Sequence, residues 1–311
     1  MNILLLGANG QLGRTFVEHG GLAARGHLHA ATRDGKCFDG TRAEVVDLSH
    51  LETVAPLLDR LQPDVIINAA AYTAVDRAES EEALATTING ESVGVMARWA
   101  QIHGALVIHY STDYVFSGNA STPYAPDTPT APLGAYGRSK LIGEQALIAS
   151  GAAYLIFRTA WVYAAHGNNF LRTMLRLANE RDEIRVVDDQ YGSPTDTGLI
   201  VSATLTALDR WLEARNDFRR TLTGIYHLVP EGHTTWHGFA TAIMREALPR
   251  GLIARAPQLT PIATAQYPTP AKRPAWSVLD NHGFVRHFGY SLPPWQHGLH
   301  RVIETLSTTA P

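Results

Sequence analysis

The chain has 311 residues, 45% hydrophobic and 18% charged, with a formal net charge of -3. That is apolar enough for a substantial core and excludes a disordered profile. Basic residues are scattered rather than striped, which argues against a nucleic-acid partner, and no apolar run nears the roughly 20 residues that cross a bilayer. The single cysteine, Cys37, excludes an intrachain disulfide and leaves no basis for a thiolate zinc site.

The opening Met1-Asn2-Ile3-Leu4-Leu5-Leu6-Gly7 lacks the basic region and cleavage site of a signal peptide. It reads as a strand meeting a turn, and a cytoplasmic location is expected. In chain order the apolar spacing predicts a strand at 2–6, a helix at 11–19, a strand at 27–32, a helix at 51–61 and a strand at 64–68. A long helix at 80–103 and a strand at 105–110 follow. Beyond a Pro/Gly-rich loop at 117–134 come a helix at 136–149 and a strand at 154–158. Apolar strands alternating with helices imply parallel β-α-β units and a doubly wound α/β sheet. Later, helices are expected at 170–179 and 199–214, with strands near 184–187 and 225–229. Prolines then interrupt regular structure at 257, 261, 268, 270, 274, 293 and 294. The expected division is a dinucleotide-binding domain over 1–160, rejoined by about 184–229, and a smaller lobe that takes most of 161–311.

Gly7-Ala8-Asn9-Gly10-Gln11-Leu12-Gly13 falls at the first β-α junction. Glycines three apart permit a sharp turn and let a helix N-terminus approach a pyrophosphate, where amide N–H groups and the helix dipole favour negative charge. Gly7, Asn9, Gly10, Gln11, Leu12 and Gly13 are therefore assigned to the cofactor. Thr32-Arg33 ends the second strand, where Arg suits the 2′-phosphate of NADPH and a carboxylate would suit NAD. NADPH is expected, with NADH left open as a second cofactor. Asp47-Leu48 is placed near the adenine, and the small residues Ala69, Ala70 and Ala71 let a dinucleotide lie against the backbone.

Tyr136-Gly137-Arg138-Ser139-Lys140 puts Tyr136 and Lys140 on one helix face. A phenol titrating near 10 is a poor acid at neutral pH, and a neighbouring ammonium is expected to lower that value. Ser111-Thr112-Asp113-Tyr114 ends the fourth strand, where the Thr112 hydroxyl could hydrogen-bond a substrate carbonyl. His233 and His237 lie four apart, but no third ligand is spaced for zinc and no metal is expected.

Several segments together resemble the dTDP-4-dehydrorhamnose reductases. They are the glycine turn, Asn68–Asp76, Ser111–Gly118, Tyr136–Lys140, Arg158–Tyr163, Gly167–Phe170, Asp188–Thr195, Tyr226–Val229 and Tyr267–Pro274, and the resemblance runs to about residue 300. It implies a Rossmann-type α/β fold with a smaller C-terminal substrate-binding lobe. It also implies NADPH-dependent reduction of the 4-keto group of a dTDP-linked deoxysugar, the last step in making dTDP-β-L-rhamnose. By the same resemblance Thr112, Tyr136 and Lys140 form the catalytic triad. Ser111, Tyr136 and Lys140 also meet the cofactor, and Val75, Thr112, Tyr114, Trp161, Asn169 and Arg273 meet the nucleotide-sugar.

Some members of that family form a dimer bridged by Mg²⁺ through glutamates. This chain has Thr15, Gly198 and Thr305 at the corresponding places, so a monomer or weak dimer is expected instead. Related activities stay open: a sugar-nucleotide 4-epimerase, a 4,6-dehydratase, or a non-catalytic dinucleotide-binding regulatory subunit of methionine adenosyltransferase. A dehydratase is expected to carry Glu after Thr-Asp, where this chain has Tyr114, and an intact triad argues against the regulatory role.

Overall fold

A computed structural model describes residues 1–309. Six of the seven strands of its central sheet are β1 (Asn2–Leu6), β2 (His27–Thr32), β3 (Glu44–Val45), β4 (Val65–Asn68), β5 (Leu106–Thr112) and β6 (Ala153–Thr159). Every pairing in the sheet is parallel, and the order runs β3-β2-β1-β4-β5-β6, with Gly224–His227 outside β6. The eight helices that bear on the site are α1 (Gln11–His19), α2 (Val54–Leu61), α3 (Val75–Ala78), α4 (Glu82–Thr86), α5 (Ser92–His103), α6 (Ala135–Ser150), α7 (Phe170–Glu180) and α8 (Thr197–Glu213).

The continuous apolar strands follow from burial on both faces. Ile3, Leu5, Ile67, Ile108 and Phe157 join one cluster with Phe16 of α1 and Leu199, Leu205 and Leu208 of α8. The alternate positions Leu4, Leu6, Ile66, Val107 and Ile156 join the other, with Leu57 and Leu58 of α2 and Met96 and Trp99 of α5. Successive strand residues point to opposite faces, so one apolar run supplies two cores. The chain leaves β1 for β2 and β3, then crosses back to β4 on the other side of β1. The carboxyl ends of β1 and β4 therefore form the crevice where such sheets take their ligands.

Several sequence expectations change in detail. The long helix at 80–103 is interrupted by a wide π turn at Thr87–Glu91. The turn aims the buried Asn89 amide at the Tyr72 backbone, accepting from its N–H at 2.8 Å and donating to its carbonyl at 3.0 Å. Such wide turns inside helices recur at functional sites. β5 runs two residues further than its apolar run, because Ser111 and Thr112 still pair with Arg158 and Thr159. Glu183–Val187, expected to rejoin the central sheet, instead pairs in parallel with Gln258–Ile262 in the lobe. Its alternate residues Ile184 and Val186 find their apolar partners there, among Met174, Phe239, Ile243 and Ile303. Helix α8 and strand Gly224–His227 are the segments that return. The lobe helices Trp236–Ala247 and Trp295–Thr309 had no counterpart in the periodicity reading.

One buried ion pair ties α6 to the sheet. Arg158 of β6 donates from Nε and Nη2 to the two Glu144 oxygens at 2.9 and 2.7 Å, both side chains almost fully buried. Its Nη1 donates to the Pro126 carbonyl at 2.9 Å. Removing one member of such a pair leaves an uncompensated charge in the interior. Glu144→Ala is expected to destabilise the fold by about 3–5 kcal/mol in urea denaturation. A loss below about 1 kcal/mol, the size of an exposed pair, would show that the contact does not hold α6.

Candidate active site

The carboxyl ends of β1 and β4 approach each other without intervening side chains. Gly7 has φ +78°, and a Cβ there would come within 2.7 Å of the Ala70 backbone. A Cβ on Gly13 would overlap the Gly7 carbonyl. Both glycines are thus dictated by contact as well as by the turn. Gly10 caps α1 with no side-chain bond, which leaves the first-turn N–H groups open to an anion. Asn9 donates to the Lys36 carbonyl at 2.8 Å and joins this turn to the loop after β2.

The other residues expected at the cofactor line the same edge. Val46 N–H donates to the Thr32 carbonyl at 3.0 Å, which brings Asp47 and Leu48 beside Thr32 and Arg33. Arg33 is exposed and forms no salt bridge among the described residues. Asp47 accepts from Ser49 N–H and Oγ at 3.0 and 2.7 Å; the backbone donor and then the hydroxyl hold its carboxyl below the usual range. Leu48 is buried in the core, Leu12 packs against the opposite cluster, and Ala69 to Ala71 run on from β4. Gln11 is engaged elsewhere, accepting from Asn169 at 2.8 Å.

The triad residues come from β5 and α6. Gly137 lets α6 press onto the turn after β5, since a Cβ there would overlap the Tyr114 carbonyl. Ala135 N–H, at the start of α6, donates to Glu79 Oε1 at 2.8 Å, a cap that a sequence scan of α6 itself cannot reveal. Thr112 donates to Asp113 Oδ1 at 3.0 Å and accepts from Tyr114 N–H at 3.1 Å. The Tyr114 and Tyr136 rings meet edge to face with centroids 6.0 Å apart. Lys140 is 2% exposed, and its Nζ lies 3.3 Å from His109 Nε2. His109 Nδ1 lies 3.2 Å from the Asn68 amide nitrogen. His109, Asn68 and Asn89, which also donates to Ser139 Oγ at 2.9 Å, escaped the sequence reading because burial, not spacing, gives them their place.

The electrostatics revise one expectation. Burial drives the Tyr136 phenol up to about 12; Asp113's charge adds to this and the Thr112 hydroxyl opposes it. The anticipated lowering by Lys140 does not set the value, because the Lys140 ammonium meets His109 instead of the phenol. Lys140 itself is pulled down by burial to about 8, with Glu144 opposing.

Val75 opens α3, and its neighbour Asp76 accepts from Arg273 Nη2 at 2.9 Å. Trp161 sits just past β6 with φ +48°, a left-handed conformation rare outside glycine, and stacks on Trp236 with centroids 3.5 Å apart. Asn169 is also engaged within the protein: its oxygen caps α7 through Arg172 N–H at 3.0 Å, and its nitrogen donates to Gln11, Ala164 and His166. The side chain is a joint between lobe and glycine turn. Thr15, at the position of a bridging glutamate, hydrogen-bonds Gln11, His166 and Thr197. His233 leans on Trp276 and Tyr191, whereas His237 faces the Leu259 carbonyl and Asp188.

Buried polar atoms are almost always hydrogen-bonded. Ser111 Oγ, Asp113 Oδ2, Thr159 Oγ1 and Arg273 Nη1 are buried without partners, and the first three lie at the carboxyl ends of β5 and β6. Together with the open helix N-terminus, these orphans fit a dinucleotide and a polar substrate at one edge.

A glycine turn opening α1, with a Thr, a Tyr and a Lys of that spacing on the same sheet edge, defines a short-chain dehydrogenase/reductase of Rossmann type. Residues 1–308 match the sequence profile of the RmlD substrate binding domain. The chain is 45% identical over 308 residues to a dTDP-4-dehydrorhamnose reductase of Burkholderia thailandensis, covering 98% of this chain and 99% of that one. The solved dTDP-4-dehydrorhamnose reductase of Clostridium acetobutylicum superposes with a TM-score of 0.85 at 34% identity, covering 98% of this chain and 99% of that one. That of Bacillus anthracis, in complex with NADP, gives 0.82 at 32% identity over the same shares. The chain belongs to the dTDP-4-dehydrorhamnose reductase family.

Because the Gly13 Cβ position is filled by the Gly7 backbone, Gly13→Ala is expected to spread the turn. NADPH binding, read by quenching of its fluorescence, is expected to weaken at least tenfold, about 1.4 kcal/mol. Unchanged affinity would mean that the turn does not receive the pyrophosphate.

Proposed function

We propose that this chain reduces the 4-keto group of dTDP-4-dehydro-β-L-rhamnose to give dTDP-β-L-rhamnose, with NADPH as its preferred cofactor. The observation that carries the reading is that α6, with Tyr136 and the buried Lys140, presses through Gly137 onto the turn that follows Thr112 at the end of β5. Full-length identity to reductases of that name supports it. Arg33, exposed and free of an internal ion pair, suits the 2′-phosphate; the NADP named with the Bacillus anthracis structure is in keeping.

When bound, the cofactor supplies hydride to the carbonyl carbon. The Tyr136 phenol gives the carbonyl oxygen its proton, and a phenol raised by burial holds that proton until charge develops nearby. Thr112 orients the same oxygen. Lys140, buried without a carboxylate of its own, meets the ribose and favours negative charge beside it. Val75, Tyr114 and Trp161 line the sugar's place, and Arg273, with one partnerless Nη, faces a phosphate. Asn169 is left out, its amide being spent on the joint with Gln11.

The reading includes a cytoplasmic protein, monomeric or weakly dimeric. Among the described residues no helix is long and apolar enough to cross a membrane, and the one cysteine is a buried free thiol.

Two measurements test this. Given dTDP-4-keto-6-deoxy-L-mannose made in situ, the protein is expected to oxidise NADPH and form dTDP-rhamnose, and Tyr136→Phe is expected to lower kcat by about 10²–10⁴-fold. Cofactor binding without oxidation would sink the reading. Arg33→Ala is expected to raise KM for NADPH by roughly tenfold to a hundredfold, as befits a lost charged hydrogen bond, and to leave KM for NADH unchanged. An equal rise for both cofactors would remove Arg33 from the 2′-phosphate.

A further inference from the structure

Arg273 reaches the candidate site already paired. Its Nη2 donates to Asp76 Oδ2 at 2.9 Å, while Nη1 is buried without a hydrogen-bond partner. Asp76 stands beside Val75 at the start of α3, and Glu79, one residue past that helix, caps α6 at Ala135. The pair therefore borders the helix that carries Tyr136 and Lys140.

Both partners are held from behind. Asp76 Oδ1 accepts from Ala271 N–H at 3.3 Å. Pro274 packs on Gly118, where a Cβ would overlap it, and Trp276 N–H donates to the Gly118 carbonyl at 3.0 Å. Arg273 lies between these anchors, with Nη2 spent on the carboxylate and Nη1 open. Arg77, the next cation along α3, is engaged by Glu81 at 2.6 Å. Among the described residues, Arg273 is the cation paired with Asp76.

A free guanidinium takes a phosphate through two parallel N–H···O bonds and favours the more highly charged one. Here one terminal nitrogen already serves a carboxylate, whose negative charge lies within a guanidinium's width of whatever Nη1 binds. Phosphates differ in charge by how they are esterified. Each phosphorus of a nucleotide-linked sugar carries one negative charge. The terminal phosphate of a free nucleoside diphosphate carries nearly two above its second ionisation, at about 6. An unpaired Arg273 would favour the free nucleotide, and Asp76 opposes the added charge by like-charge repulsion. Tyr114 registers both members of the pair: burial and then Asp113 push its phenol up, Arg273 lowers it and Asp76 raises it.

We infer that Asp76 is a specificity-determining residue. By pairing Arg273 it cancels the guanidinium's preference for a doubly charged terminal phosphate, and so lets the site take the esterified diphosphate of a nucleotide-sugar in the presence of the free nucleoside diphosphate. This deepens the reductase reading above and rests on its placing of Arg273 at a phosphate.

The test compares the binding of dTDP with that of its β-methyl ester, two ligands that lack the sugar and differ by one charge. Calorimetry at low ionic strength and about pH 8 is applied to the wild type, Asp76→Asn, Asp76→Glu and Arg273→Gln, with melting temperatures alongside. The wild type is expected to bind the two ligands within about threefold of each other. Asp76 is 40% exposed and its charge is partly screened. Asp76→Asn is therefore expected to shift the ratio of affinities toward dTDP by about three- to tenfold, and Asp76→Glu to keep the wild-type ratio. Arg273→Gln leaves the carboxylate uncompensated and is expected to bind the ester more tightly than dTDP by a similar factor. An equal loss of affinity for both ligands in Asp76→Asn, with the ratio unmoved, means that the carboxylate only holds Arg273 and overturns the inference. Should Asp76→Asn fail to fold, equal binding of the two ligands by Arg273→Gln overturns it. A wild type that binds neither ligand sinks the nucleotide-sugar reading and this inference with it. A wild type that reduces the 4-keto sugar, with an unmoved ratio in Asp76→Asn, sinks this inference alone.

Discussion

The chemistry of this chain depends on how closely α6 can approach the carboxyl end of β5. Gly137 sets that distance, since a Cβ there would overlap the Tyr114 carbonyl, and Gly143 lets the same helix rest on the π turn, where a Cβ would overlap the Asn89 carbonyl. The helix therefore rests on backbone at two points, two turns apart. Tyr136 stands just before the first and Lys140 between the two, and one turn beyond Lys140 the Glu144–Arg158 pair locks the helix to β6. Helix position, phenol position and ammonium burial are consequences of one contact surface. The interior ion pair gains little against an apolar substitute but is costly to break, which suits a fixed register better than raw stability.

Close approach has an electrostatic price, visible at four titratable groups near the end of β5 and on α6. Lys140 is drawn down, and Tyr136, Tyr114 and Asp113 are pushed up, with burial the first cause each time. Burial of this kind disfavours the charged form of each of these four groups. His109 fits the same pattern: burial and then Lys140 hold it well below its usual value, a neutral ring packed between Asn68 and the lysine.

The sheet and the shared helix of Tyr136 and Lys140 were legible in the sequence because both follow periodicities that a single chain displays. Two-residue alternation inside unbroken apolar runs placed β1, β4 and β5, and a four-residue spacing placed Tyr136 and Lys140 on one face. What escaped depends on contacts between distant segments. Glu79 caps α6 from 56 residues upstream. The π turn at Thr87–Glu91 keeps helical apolar spacing overall, so nothing local distinguishes it from the helix on either side. Glu183–Val187 reads as a strand in isolation, but only Gln258–Ile262 decides which sheet it joins. Asn169 caps α7 as well, a local role that the motif reading of this residue did not include.

Two side chains where the lobe meets the nucleotide half differ in kind. Asn169 joins α7 to Gln11 by hydrogen bonds, so the glycine turn and the lobe share a fixed spacing. Trp161 adopts φ +48°, a conformation that costs of order 1–3 kcal/mol outside glycine and persists only where its surroundings over-determine it. Those surroundings are identifiable. Trp236 stacks on the indole at 5° interplanar angle, Phe170 tilts against Trp236, and a Cβ on Gly192 would overlap the Trp161 ring. Lobe packing thus holds an aromatic plate in a conformation that the strand end would not choose. Strain held in place by apolar contact fixes the Trp161 ring just past the carboxyl end of β6.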